Sequence, residues 1–257
     1  MVLHIFVLCV FSGLFLGVFM KLKNLFYFIS VFFVLTYSMS ANALVDIIGG
    51  LGGSGYVTDD YNSDNNTENN NHKRYKGGFN LNATALLPIH TFEPIKSTYG
   101  FDPIISIVAG PRIKYEYVVG TIDTTGYTDK ETFSTMLLGA EGGAKFQVFQ
   151  QITLFGTVFF SYGATNTLSE NITDGGAIIP DQSVNPSVTQ SWQAGTDLRA
   201  FYNPSPAFGL GIGLENVTGS YQYNSYAINT TAGPQTIRGG TNNYQSASFN
   251  FLVAFYL

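Results

Sequence analysis

Groups able to do acid–base or metal chemistry are few in this sequence, and their spacing is unhelpful to catalysis. There are three histidines. His4 belongs to an apolar leader, His72 stands in the polar run Asn69-Asn70-Asn71-His72-Lys73-Arg74, and His90 follows Pro88-Ile89. A catalytic histidine needs a carboxylate to orient it and a hydroxyl, thiol or water to activate. Asp59, Asp60 and Asp64 could pair with His72, but in a segment with nothing to fix their geometry. Those acids with Glu68 lack the central glycine and closing bidentate glutamate of a calcium loop, so a solvated loop is expected there. The one cysteine, Cys9, also lies in the leader, which leaves no disulfide or zinc–thiolate framework downstream. No catalytic residue, metal or cofactor is expected.

The leader reads as a targeting segment. From Met20, Lys21 and Lys23 supply a positive start, Leu25 to Tyr37 an apolar stretch, and Ser38-Met39-Ser40-Ala41-Asn42-Ala43 a small-residue cleavage site. The cut is expected after Ala43, leaving 44–257 as the mature domain. Residues 1–19 form a second apolar stretch upstream, and a mis-assigned start codon is the simplest account. Removing Lys21 and Lys23 lowers the basic count from 12 to 10 against 17 acids, a formal charge of −7. No basic stripe is present, so nucleic acid is not an expected partner.

After Ala43 the recurring signal is period-2 alternation broken by polar clusters, the mark of half-exposed strands. Eight segments carry it: 45–57, 76–88, 103–119, 133–148, 152–164, 188–202, 207–220 and 244–257. Each is long enough for a tilted strand to cross a bilayer. Long polar connectors are expected at 58–75, 120–132, 165–187 and 221–243. Short ones are expected at 149–151 and 203–206, and an intermediate one at 89–102. Alternation of long and short connectors is the habit of membrane barrels with both termini on the short-turn side. The predicted fold is an all-β, antiparallel, up-and-down transmembrane barrel of eight strands. Ten strands stay open if 89–102 or 165–187 holds a hairpin.

The charged residues within these segments separate a membrane barrel from a soluble one. Asp46, Arg112, Lys114, Glu116, Glu141, Lys145, Asp197, Arg199 and Glu215 each sit on the parity opposite their strand's apolar face. A soluble barrel would place apolar residues inside and charges in water; here the arrangement is reversed. Eight strands leave room inside only for side chains, and unpaired charges there would cost several kcal/mol each. An ion-pair network of Arg112, Lys114, Glu116, Glu141, Lys145, Asp197, Arg199 and Glu215 is therefore expected to plug the lumen. Arg112 and Arg199 are the expected hubs, because a guanidinium can hold two carboxylates in a fixed fork. On the apolar faces, Tyr115, Tyr117, Tyr162 and Trp192 fall toward one end and Phe146, Tyr202, Phe208 and Phe255 toward the other. Two aromatic girdles at the membrane interfaces are expected.

With these features the chain resembles, over 44–257, the small eight-stranded barrels of the Gram-negative outer membrane grouped as OmpA-like or opacity-protein-like. The closing Phe249-Asn250-Phe251-Leu252-Val253-Ala254-Phe255-Tyr256-Leu257 resembles their C-terminal assembly signal. Phe249, Phe251, Val253, Phe255 and Leu257 are its alternating apolar positions, and the final Leu257 departs from the usual Phe. The resemblance implies outer-membrane lipid and the outer-membrane assembly machinery as partners. The class hosts unrelated functions. Its enzymes, the lipid A-modifying and omptin-like barrels, use groups near the outer rim, where only His72 stands; His90 is expected at the opposite end. The expected function is therefore a non-enzymatic surface protein whose long loops display adaptable residues to a host or surface ligand. The apolar tip Ala177-Ile178-Ile179-Pro180 and the residues Tyr221, Tyr223, Tyr226 and Ile228 are the candidates. A narrow solute channel is the alternative, and a barrel enzyme a more distant one.

Overall fold

The computed structural model describes residues 45–59, 73–96, 102–124, 127–173, 182–230, 233–237 and 239–257. The leader 1–43, Asp60, Asp64, Glu68, His72 and the tip Ala177–Pro180 lie outside the described residues. Among the described residues eleven strands follow in order: β1 (Asp46–Asp59), β2 (Lys73–Thr91), β3 (Ile104–Thr124), β4 (Tyr127–Phe149), β5 (Ile152–Thr173), β6 (Gln182–Val184), β7 (Val188–Ser205), β8 (Phe208–Tyr223), β9 (Tyr226–Thr230), β10 (Gly233–Ile237) and β11 (Gly240–Tyr256). Eight of them close into an antiparallel ring, β1-β2-β3-β4-β5-β7-β8-β11, in which β11 returns to pair with β1. Closure leaves no sheet edge along the ring. Both ends of the chain segment meet there: Val45 and Leu257 exchange backbone hydrogen bonds at 2.8 and 2.9 Å.

Alternation forms the strands and sorts their faces. On β5, Ile152, Leu154, Val158, Phe160 and Tyr162 are exposed, while Thr153, Phe155, Thr157, Phe159 and Ser161 are buried. On β8, Leu210, Ile212 and Leu214 point out and Gly213, Glu215 and Val217 point in. Phe251 is 68 % exposed and Leu198 62 %, whereas Arg112 is 1 %. Ten residue steps from Ile152 to Tyr162 cover about 33 Å of strand, or about 25 Å of height at a 40° tilt. That matches the apolar band of a membrane barrel. This is a transmembrane β-barrel with an apolar outer face and charged residues buried in its lumen.

Most strands run beyond the segments that alternation marks. Apart from 125–126, the expected connector 120–132 is strand, the pairing of β3 and β4 continuing to Thr124 and Tyr127. β5 carries on to Thr173 through the first part of 165–187, and β6 pairs with its tip. The expected connector 221–243 holds a separate hairpin, β9–β10, and the start of β11. At the opposite end β2 continues to Thr91 across a bulge between Pro88 and His90, so His90 belongs to a strand end and not to a connector. The physical reason is common to these extensions. Beyond the membrane both faces of a strand can be polar, so backbone pairing persists where alternation fades. The glycine-rich 49–53 is continuous strand within β1.

Candidate functional site

Inward side chains fill the barrel in layers. Near the short-turn end, Ile48, Leu86, Val108, Phe155, Phe201, Leu252 and Ala254 form one apolar cluster. Toward the long-loop end, Val118, Phe133, Phe159, Leu168, Val217, Tyr221 and Tyr244 form another. Between the two lie the charges.

Arg112 on β3 reaches Glu141 (3.1 Å), Asp197 (3.4 Å) and Glu215 (2.5 Å), with its guanidinium carbon 4.0 Å from the centre of the Phe159 ring. Arg199 on β7 reaches Glu141 and Asp197, each at 2.7 Å. Lys114 contacts both Glu215 and Glu116. The hydroxyls of Thr84 and Thr157 donate to Glu141 at 3.1 and 2.7 Å. Gln193 donates to Glu116 and, at 2.7 Å, to the Tyr244 hydroxyl. Opposite charges desolvated together stay ionised only if their lone pairs and protons find partners, and this web supplies most of them.

Seven of the eight residues expected in the network meet in this layer: Arg112, Lys114, Glu116, Glu141, Asp197, Arg199 and Glu215. Lys145 does not. It lies four residues past Glu141 on the same face of β4, about 13 Å farther along the strand. There it pairs with Asp46 at 2.7 Å, 4.9 Å from the Tyr256 ring. Glu131 lies in the expected connector 120–132 and so outside the expected network. It is buried and accepts a hydrogen bond from the Tyr221 hydroxyl at 2.7 Å. Extending the parity of Phe133, Thr135 and Leu137 back along β4 would have found it. Gln193 and Tyr244 carry no formal charge, so the charge pattern of the sequence does not point to them.

The rim differs from expectation. Tyr221 is 2 % exposed, stacked on Phe133 at 4.5 Å, and Ile228 is 7 % exposed. Tyr223 and Tyr226 are half-buried, and the Tyr226 hydroxyl donates to Glu170 at 2.6 Å. Tyr221 folds into the barrel mouth and is not displayed, since an aromatic body is better removed from water when a carboxylate can take its hydroxyl. The two long-loop segments are also clasped together. Gln182 donates to the Asn229 carbonyl at 2.8 Å and accepts from the Asn229 amide at 2.9 Å.

Outside the barrel, Tyr115 and Tyr117 flank Phe79 at 6.1 and 5.4 Å, and Trp192 stacks on Phe160 at 6.3 Å beside Tyr162. Toward the short turns, Tyr202 is exposed, Phe146 is half-exposed, and Phe208 lies 5.6 Å from Phe255. On β11, Phe249, Phe251 and Phe255 are exposed outward, Val253 is half-buried, and Leu257 follows the strand end.

No protein-family profile matches the sequence, and no curated protein matches it. Among solved structures the chain is similar to Ail, the attachment invasion locus protein of Yersinia pestis. Identity is 11 %, covering 82 % of this chain and 98 % of that one, with a TM-score of 0.35. It is also similar to Neisserial surface protein A, at 12 % identity over 82 % of this chain and 96 % of that one, TM-score 0.38. A third similar structure is the outer membrane protease OmpT from Escherichia coli, at 9 % identity over 86 % and 98 %, TM-score 0.38.

Proposed function

We propose that this chain is an integral outer-membrane protein without enzymatic activity, whose barrel is a plugged stand for a preorganised surface at the long-loop end. The observation that carries the reading is the filled lumen: an ion-paired layer between two apolar layers, inside a wall whose outer face is apolar. A solute would have to displace both apolar layers and separate buried ion pairs to pass. The same packing makes the barrel a rigid support. The clasp between Gln182 and Asn229 adds a second support, because ordering a loop before binding removes part of the entropic cost of recognition.

Several assignments belong to this reading. The leader is cleaved after Ala43 for export. The two rows of outward aromatic residues are girdles in contact with lipid, and Phe249, Phe251, Val253, Phe255 and Leu257 are read by the assembly machinery. The surface partner is then recognised by the polar outer segments around β6 and the β9–β10 hairpin, and not by Tyr221 or Ile228.

The test is to replace the outer segments one at a time in cells. Tyr223 and Gly240 are already cross-strand partners, so an Asn-Gly turn can substitute for 224–239; a flexible Gly-Ser linker can substitute for 174–187. Adhesion to surfaces and host cells, lipid A mass and small-solute uptake are then compared with the parent. Reduced adhesion with unchanged lipid A and uptake is expected. Unchanged adhesion in both variants would overturn the display reading, and an altered lipid A mass would move the assignment to an enzyme.

A further inference from the structure

At the short-turn end β2 runs on into an apolar arm. Ile89 is 60 % exposed, Phe92 47 % and Ile95 53 %. Two backbone bonds hold the arm beside the start of β3. The Phe92 amide donates to the Ile105 carbonyl at 2.9 Å, and the Ile95 amide donates to the Pro103 carbonyl at 3.1 Å.

The bulge in β2 decides which way this arm faces. Before it, the even-numbered residues Asn80, Asn82, Thr84 and Leu86 are buried toward the lumen. Parity alone would carry Phe92 inward with them. Ile89 is the inserted residue, since Pro88 stands opposite Val108 and His90 opposite the adjacent Ile107. One extra residue re-aims every side chain beyond it. Thr91 therefore turns to the lumen side, where its hydroxyl bonds to that of buried Ser106 at 3.0 Å. Phe92 comes to stand beside Ile105, which shares the outward face of β3 with exposed Ile107. The His90 ring meets Phe92 edge-on at 4.6 Å.

Depth follows from register. Ten residue steps separate Ile105 from Tyr115 on the outward face of β3, about 25 Å of height at a 40° tilt. Tyr115 is exposed in the aromatic row on the long-loop side, so Ile105 and Phe92 stand at the other boundary of the apolar band. Phe146, in the short-turn aromatic row, is the cross-strand neighbour of Ile105, and exposed Leu154 is that of Phe146. The apolar outer wall thus continues sideways, without a break, from Leu154 to Phe92. Glu93 and Lys96 are exposed in the same arm. Apolar bodies beside charged tips suit a membrane interface, where one end is in hydrocarbon and the other in water.

We propose that residues 89–96 are an interfacial anchor, with Phe92 and Ile95 seated among the phospholipids of the periplasmic leaflet and Lys96 at their phosphates. The inference rests on the outer-membrane orientation proposed above, with the short turns on the periplasmic side. Phospholipid is the occupant because the arm is continuous with the wall that already faces lipid. The bulge turns a lumen position into a membrane contact, and so fixes how deep the short-turn end sits.

Spin labelling tests the anchor on the whole barrel, purified from outer membranes and placed in vesicles of phosphatidylethanolamine and phosphatidylglycerol. Cys9 is the chain's one cysteine, so a Cys9→Ser background leaves each introduced cysteine as the sole label site. Labels go at Phe92→Cys and Ile95→Cys, with Val158→Cys at mid-wall and Gln222→Cys beyond the outer aromatic row as references. Oxygen, which dissolves in lipid, and a water-soluble nickel chelate are compared as relaxing agents. The oxygen-to-nickel ratio at Phe92 and Ile95 is expected below that at Val158 and well above that at Gln222. Ratios as low as at Gln222 would place the arm in water and overturn the anchor. Labels shielded from both reagents would overturn it too, by revealing a protein partner or a second copy over the arm. A low ratio at Val158 would defeat the membrane barrel itself, and the anchor with it. If the Phe92→Cys barrel fails to fold, the Ile95→Cys ratio decides.

Discussion

Arg112 and Glu215 hold each other across the full width of the barrel. Nη2 lies 2.5 Å from Oε2, yet β3 and β8 are four strands apart in a ring of eight and form opposite walls. The bond is a strut that no neighbouring-strand ladder provides. It brings the lumen side chains of both walls into one layer.

Removing the strut should be costly. Arg112→Met leaves Glu141, Asp197 and Glu215 without their shared cation, and breaking a buried pair from one side costs about 3–5 kcal/mol. Urea unfolding of the micellar barrel, followed by the mobility difference between unboiled and boiled samples on gels, measures it. An unchanged midpoint would falsify the network's structural role.

The outward face has its own test of sign. Leu198 is 62 % exposed, midway along β7 between Trp192 and Tyr202. In a water-soluble protein Leu198→Arg would be harmless. In a membrane barrel an arginine at mid-depth costs about 2–4 kcal/mol. Gln222→Arg, exposed beyond the level of Trp192, should change the midpoint little, and the difference between the two variants in lipid vesicles is the readout.

Conductance follows from the layers. Purified barrel in planar bilayers should give no large, stable steps, because both apolar clusters and the ion layer obstruct the axis. Porin-like steps from the parent protein would contradict the plug.

Tyr221→Phe isolates the rim. It keeps the ring stacked on Phe133 but removes the hydroxyl that donates to the buried Glu131 carboxylate at 2.7 Å. A loss of about 2 kcal/mol in unfolding free energy is expected, as for a hydrogen bond to a charged group. A variant as stable as the parent would show that Glu131 does not depend on that donor.

The alternation of residues such as Ile152, Leu154, Val158, Phe160 and Tyr162 against Thr153, Thr157 and Ser161 determined by itself that the segment is a strand and which face is apolar. Period 2 is a local property, and the inward parity of Arg112, Lys114 and Glu116 was legible for the same reason. Strand ends were not. Beyond Gly120 the period-2 alternation lapses in the sequence, so only the pairing of β3 with β4 shows that the ladder continues. Nor could spacing say which carboxylate meets which cation. Lys145 shares a strand face with Glu141 yet pairs with Asp46, 99 residues away. Arg112 meets Glu215 only because eight strands close into a ring that sets their two walls face to face. Tyr221 reads as a loop residue by composition and lies inside the barrel by register. Tertiary structure decided these points because partners across a lumen are chosen by closure and stagger, quantities that belong to the whole ring and to no single segment.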